Sequence, residues 1–118
     1  MRILALDGSL ARASAALWAD GAVLARRAVA GDRVQPTALP PMAEDLLRDS
    51  GALDAVAVVV GPGGFTGLRA AIALAEGIAL GRGVPVIGVT TGEALAAAVP
   101  DALRAGRTVV LRDVRREP

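Results

Sequence analysis

The sequence contains no cysteine and no histidine, all of its basic residues are arginine, and aromatic residues make up only 2% of it. Without cysteine there is no disulfide, no thiolate nucleophile and no zinc–cysteine site, and nothing points to an oxidising compartment. Without histidine the commonest general base and metal ligand is gone. Without lysine neither a Schiff base nor a Walker-A phosphate loop can form. Any catalysis would rest on Asp, Glu, Ser, Thr, Arg and backbone groups. Trp18 and Phe65 are the only large rings, too few for a base-stacking surface. The core is therefore expected to consist of small and aliphatic side chains with these two rings among them. An excess of either charge is also missing: 13 basic against 12 acidic residues leave +1, so no electrostatic footprint marks nucleic acid as a direct partner.

Long apolar runs are absent too. Ala70 to Gly81 is apolar apart from Glu76, but it is far shorter than the ~20 residues of a membrane span. The apolar N-terminus is broken by Asp7 and Arg12, too early for the core of a signal peptide. A cytoplasmic location without membrane partners is expected.

What is present suits one domain. At 118 residues and 53% hydrophobic content, the chain is long enough to bury roughly two thirds of its unfolded surface. Ile3 to Leu6 is continuously apolar and ends at Asp7-Gly8-Ser9, as a central strand running into a polar turn does. Ala13 to Ala19 and Ala22 to Ala30 flank Asp20-Gly21, a hairpin signal because glycine accepts the positive φ of a tight turn. After a polar connection from Gly31 to Gln35, a helix is expected from Pro40 to Ser50. Its prolines would sit in the first turn, where a missing N–H breaks no bond, and Gly51 would cap its end. Val56 to Val60 is β-branched and predicts a strand. A glycine-rich loop from Gly61 to Gly67, a helix from Gly67 to Gly81 and a strand from Val84 to Val89 follow. A helix over Thr91 to Val99 and a strand over Thr108 to Leu111 end the series, and Arg112, Arg115 and Arg116 read as a solvated end. The order βββαβαβαβ indicates an α/β sheet covered by helices.

Two segments are candidates for chemistry. Gly61-Pro62-Gly63-Gly64-Phe65-Thr66-Gly67 lies between a strand and a helix, where backbone N–H groups and a helix N-terminus can hold an anion. It matches neither GxxxxGK[ST] nor GxGxxG. Gly61, Gly63, Gly64, Thr66 and Gly67 therefore have two readings, a phosphate cradle or a tight turn that packs the helix onto the sheet with Phe65 as a plug. Asp7, at the end of the first strand, is either a magnesium or proton site or the cap of its own turn.

The helix after the loop carries a different signal. Ala70, Ala73, Gly77 and Gly81 form a stripe of small residues with Leu74 at its edge, while Leu68, Ile72, Ala75 and Ala79 can face the sheet. An interior glycine costs about 1 kcal/mol relative to alanine, so Gly77 suggests close approach by another backbone. That neighbour is either the chain's own first helix or a helix of another subunit. Arg69 and Glu76 lie on a third face as solvated charges.

Taken together, these segments resemble the N-terminal lobe of the TsaB (YeaZ) family. Ile3-Leu4-Ala5-Leu6-Asp7-Gly8-Ser9 is similar to the family's opening strand and Asp-Thr-Ser turn, and Leu39 to Leu47 to its first helix. Val60 to Arg69 is close to its Gly-Pro-Gly-Ser-Phe-Thr-Gly-Leu-Arg, and Ala75 to Ala79, Val84 to Val89 and Glu93 to Leu95 continue the match. The resemblance implies an actin-like, RNase H-like lobe: a mixed five-stranded sheet with helices packed on it. It implies a non-catalytic role in threonylcarbamoyladenosine synthesis in tRNA, beside a TsaD-like transferase and a TsaE-like ATPase or as a homodimer. ATP and metal are then expected on partner subunits, none in this chain alone, and tRNA is reached through the complex.

Pairing in the family runs through the first two helices, which points to Met42 and Leu46 opposite Ala70, Ala73, Leu74, Gly77 and Gly81. Residues 1–106 would form the lobe and 107–118 begin a second, truncated one. Five positions depart from the family pattern: Gly8 replaces threonine, Gly64 serine, Gln35-Pro36 a His-Ser pair, and Glu76 lysine. The rival reading is a nucleotide-binding phosphotransferase or ATPase lobe that uses Asp7 for magnesium and Gly61 to Gly67 for phosphate.

Overall fold

The computed structural model describes residues 1–31, 34–91 and 93. Its elements are β1 (Arg2–Asp7), β2 (Arg12–Ala19), β3 (Ala22–Ala30), α1 (Gln35–Leu47), β4 (Ala55–Gly61), α2 (Phe65–Arg82) and β5 (Val86–Thr90). The expected strand at 108–111, the second lobe at 107–118 and the arginines at 112, 115 and 116 lie outside the described residues. So does the expected helix at 91–99, apart from Thr91 and Glu93.

Alternation along the strands sets the architecture. Leu4 and Leu6 of β1 align with Leu17 and Ala15 of β2 and with Val56 and Val58 of β4. All six are buried on one face, against Leu39, Ala43 and Leu46 of α1 and Ala71, Ala75 and Ala79 of α2. The strand order is β3-β2-β1-β4-β5. The first three strands are antiparallel neighbours, and β1, β4 and β5 run parallel. This is the mixed five-stranded α/β sheet of an RNase H-like, actin-like lobe, with both helices on one side. Asp20 and Gly21 both have positive φ, 49° and 87°, the requirement of a two-residue type I′ hairpin.

Three expectations change. The first helix begins at Gln35, not Pro40, because Pro36 occupies the first turn and Pro40 and Pro41 lie inside the helix. Those two cannot bond back to the carbonyls of Pro36 and Thr37. All four residues are exposed, so water can serve the freed carbonyls. The helix ends at Leu47 with Arg48 as its C-cap, and Gly51 (φ 73°) belongs to the loop beyond. Second, α2 runs past Gly81 to Arg82 and is capped by Gly83 in the left-handed conformation, whose N–H donates to the Ala79 and Leu80 carbonyls. Third, neither ring enters the core: Trp18 is half-buried and Phe65 is 56% exposed. Trp18 follows the buried Leu17 on β2 and so lies on the sheet face away from the helices, and Phe65 lies off the buried row of α2, which is Gly67, Ala71, Ala75 and Ala79.

Candidate functional site: an open helix face and a closed glycine loop

The phase of α2 follows from what it buries. Gly67, Ala71, Ala75 and Ala79 repeat every fourth residue and are its buried row. Leu68 and Ile72, expected in that row, are half-buried beside it. The opposite side is open. Ala73, Gly77 and Gly81 are exposed and Ala70 is half-buried. Among the described residues, a Cβ built at Gly77 or Gly81 would meet no atom within 4 Å. The small-residue stripe therefore does not pack on the chain's own first helix. Leu74, at the edge of the stripe, is half-buried and with Ile78 lines a groove between the two helices.

That groove, about 480 Å³, is bounded on the α1 side by Pro40, Ala43, Glu44 and Leu47. Met42 and Leu46, expected at the interface opposite Ala70, Ala73, Leu74, Gly77 and Gly81, are core residues, 9% and 5% exposed. Leu39, Met42, Ala43 and Leu46 form one apolar row at helical spacing, and that row packs on the sheet, so Met42 and Leu46 are turned into the core. Leu80 was not singled out from the sequence, yet it is 85% exposed. Its signal was present, since helical periodicity places it on the same outer face as Arg69 and Glu76.

The glycine loop is packed by the chain itself. A Cβ at Gly63 would overlap the Ser9 carbonyl oxygen, and one at Gly67 the Gly8 carbonyl oxygen and the Gln35 side chain. Ser9, 3% exposed, accepts a hydrogen bond from the Gly64 N–H at 3.1 Å. The Asp7 carboxylate accepts from the Ser9 N–H at 2.8 Å and the Ser9 hydroxyl at 2.6 Å, closing the turn on itself. The Gln35 amide donates to the Leu10 carbonyl at 2.9 Å, and the Thr91 hydroxyl to that of Pro62. In this geometry the close backbone approach that Gly63 and Gly67 permit is to the β1–β2 turn. Gly64 and Thr66 are exposed and Gly61 is half-buried. Phe65 is no plug; its ring lies outside, with the Arg69 guanidinium 4.8 Å from its centroid. Among the described residues no three His, Cys, Asp or Glu side chains come together as a metal site. No described helix is long and apolar enough to cross a membrane.

Next to this junction, the Glu93 carboxylate accepts from the Thr90 N–H, and the Glu93 N–H donates to the Thr90 hydroxyl, both at 3.0 Å. This reciprocal pair is a capping box. The backbone bond from Thr90, followed by its side-chain bond, holds the Glu93 carboxyl below its ordinary value of 4.5.

Comparison with known proteins agrees with this architecture. The family model described as "TsaD: tRNA N6-adenosine threonylcarbamoyltransferase" matches residues 35–117. The tRNA threonylcarbamoyladenosine biosynthesis protein TsaB of Escherichia coli K12 is 43% identical over 95 residues, covering 77% of this chain and 41% of that protein. Its counterpart in Haemophilus influenzae is 34% identical over 119 residues, covering 98% and 50%. The solved structure of YeaZ from Pseudomonas aeruginosa superposes with a TM-score of 0.73 at 38% identity, over 80% of this chain and 46% of that one. The chain belongs to the family that the model describes, and within it to the TsaB (YeaZ) group. It spans half or less of the length of these two curated relatives.

Proposed function

We propose that the chain is a non-catalytic pairing subunit for threonylcarbamoyladenosine synthesis in tRNA, docking onto a TsaD-like transferase through the outer face of α2 and the α1–α2 groove. The observation that carries this reading is Gly77. A helix-interior glycine costs about 1 kcal/mol, and among the described residues no atom of this chain uses the space above it. A backbone from another molecule would. The names of the curated relatives support the pathway, and the missing cysteine, histidine and lysine support a role without chemistry of its own. ATP and metal are then supplied by partner subunits, a TsaE-like ATPase among them, and tRNA is met through the assembled complex.

Co-purification with a TsaD-like transferase, scored for complex formation and tRNA modification, tests the reading. Gly77→Leu should separate the partners and leave the domain folded, as seen by light scattering and circular dichroism. Unchanged association would overturn the docking face. Tight binding of ATP and magnesium by the isolated chain in calorimetry would favour a nucleotide-binding lobe instead.

A further inference from the structure

β3 forms one edge of the sheet. It follows β2 through the two-residue hairpin, and β2 is paired on its other side with β1, so among the described residues no strand lies along the outer side of β3. Every second residue of such an edge turns its N–H and C=O groups outward, ready to form a ladder with another extended chain. The edge divides at an irregularity opposite Leu17 and Trp18, which leaves Leu24 without a partner on β2. A bulge bends its strand and disturbs the ladder, so Ala22 to Leu24 is a poor template. From Ala25 to Ala30 the register with β2 is regular, proline is absent, and every residue but Ala25 is exposed. This stretch has the usual length of one strand, and its alanines at 25, 28 and 30 leave room for the side chains of a neighbour.

The charges on this stretch decide what can pair with it. Arg26 and Arg27 are adjacent and so point to opposite faces of the sheet. Arg27, level with the buried Ala15, lies on the helix side. Its guanidinium is 2.9 Å from the Asp45 carboxylate, which also takes Arg48 at 3.2 Å, so one anion serves two cations. Arg26, level with Ala16, lies on the other face and forms no ion pair among the described residues. A second copy paired antiparallel about these positions would set arginine against arginine, and like charges directly opposite destabilise a sheet. A strand with two consecutive acidic residues would instead meet one arginine on each face. We propose that Ala25 to Ala30 is a docking edge for an extended acidic segment of another protein, added antiparallel to β3, with adjacent Asp or Glu residues opposite Arg26 and Arg27. The α2 helix packs on β1, β4 and β5, so this edge is separate from the face read above as the transferase-docking surface and does not depend on that reading.

An NMR titration of the full chain with the capped peptide Thr-Val-Thr-Glu-Glu-Val tests the proposal, since antiparallel register puts its glutamates opposite Arg27 and Arg26. Saturable amide shifts should concentrate on Ala25 to Ala30. Exchanging both glutamates for lysine should weaken binding roughly tenfold. Arg26→Glu should weaken the acidic peptide and strengthen the lysine peptide, each roughly threefold to tenfold, a reversal that damage to the fold would not give. N-methylation of alternate peptide residues separates backbone pairing from attraction between charges. In one phase the methyl groups block the ladder and should abolish binding; in the other they face away from β3 and should leave it within about twofold. Equal affinity for both peptides, or equal effects of both methylation phases, would overturn the proposal. So would shifts centred on another element, or β3 shifts that follow the chain's own concentration without peptide, which would make a second copy the occupant.

Discussion

Gly8 and Gly67 face each other so closely that a methyl group on either would overlap the backbone carbonyl oxygen of the other. This one approach locks the β1–β2 turn to the first turn of α2, and with it the glycine loop to the sheet. Two effects oppose each other on replacing Gly67 by alanine. Helix propensity favours alanine by about 1 kcal/mol, whereas forcing a methyl into backbone costs about 1–3 kcal/mol or more. The contact atoms are main chain and cannot rotate away, so the steric cost wins. Gly67→Ala and Gly8→Ala should each lower the denaturant midpoint. A Gly67→Ala protein as stable as the parent would show that the approach is not tight.

Gly64 behaves in the opposite way. It is the N-cap of α2 in extended conformation (φ −63°, ψ 131°) without a side-chain capping bond, and a Cβ there would meet nothing within 4 Å. Gly64→Ser supplies an oxygen for the free N–H groups of the first turn and restricts the unfolded chain. The expected gain is about 0.5–1 kcal/mol, or a melting temperature raised by about 3–6 °C. No gain in a thermal melt would mean that the serine does not cap.

These neighbouring glycines also mark where reading the sequence reached its limit. The strands and the hairpin were legible, because one face of the sheet is buried and alternation records it: Leu4 and Leu6, Ala13, Ala15 and Leu17. The existence of both helices was legible as well. Their phases were less so. Pro40-Pro41 resembles a first turn, and only the packing of Leu39 on the sheet shows the helix already formed before it. Met42 and Leu46 share their apolar row with Leu39 and Ala43, and only the tertiary packing shows that this row faces the sheet. Similarly, nothing local marks Gly67 as the start of the buried row of α2, since its place depends on Gly8, distant in sequence. The open stripe around Gly77 was legible from composition, but that it lies away from α1 is a tertiary fact.

The capping box at Thr90 and Glu93 should respond to acid. Glu93 is held below its ordinary value of 4.5 by the Thr90 bonds, so its ionised form is favoured by the fold. Whatever the box contributes is present above the unfolded value and is lost as pH falls through the lower folded one. In NMR the Thr90 amide proton should keep its bonded shift down through pH 4.5 and move only below it. An amide that moves with a midpoint at or above 4.5 would show that the bond does not hold the carboxylate.

Leu46 and Leu80 are a matched pair for separating core from docking face. Leu46 is 5% exposed within the cluster that joins α1 to the sheet, whereas Leu80 on α2 is 85% exposed. Truncating a buried leucine removes its transfer energy and leaves a cavity, about 2–5 kcal/mol together. Truncating an exposed one changes stability by less than about 0.5 kcal/mol. Leu46→Ala should therefore shift the urea midpoint strongly, and any loss of partner binding should follow from unfolding. Leu80→Ala should leave the midpoint in place and weaken association directly. If Leu46→Ala kept full stability but abolished binding, α1 would have to turn its other face outward, and the groove at Glu44 and Leu47 would no longer be the exposed seam between the helices.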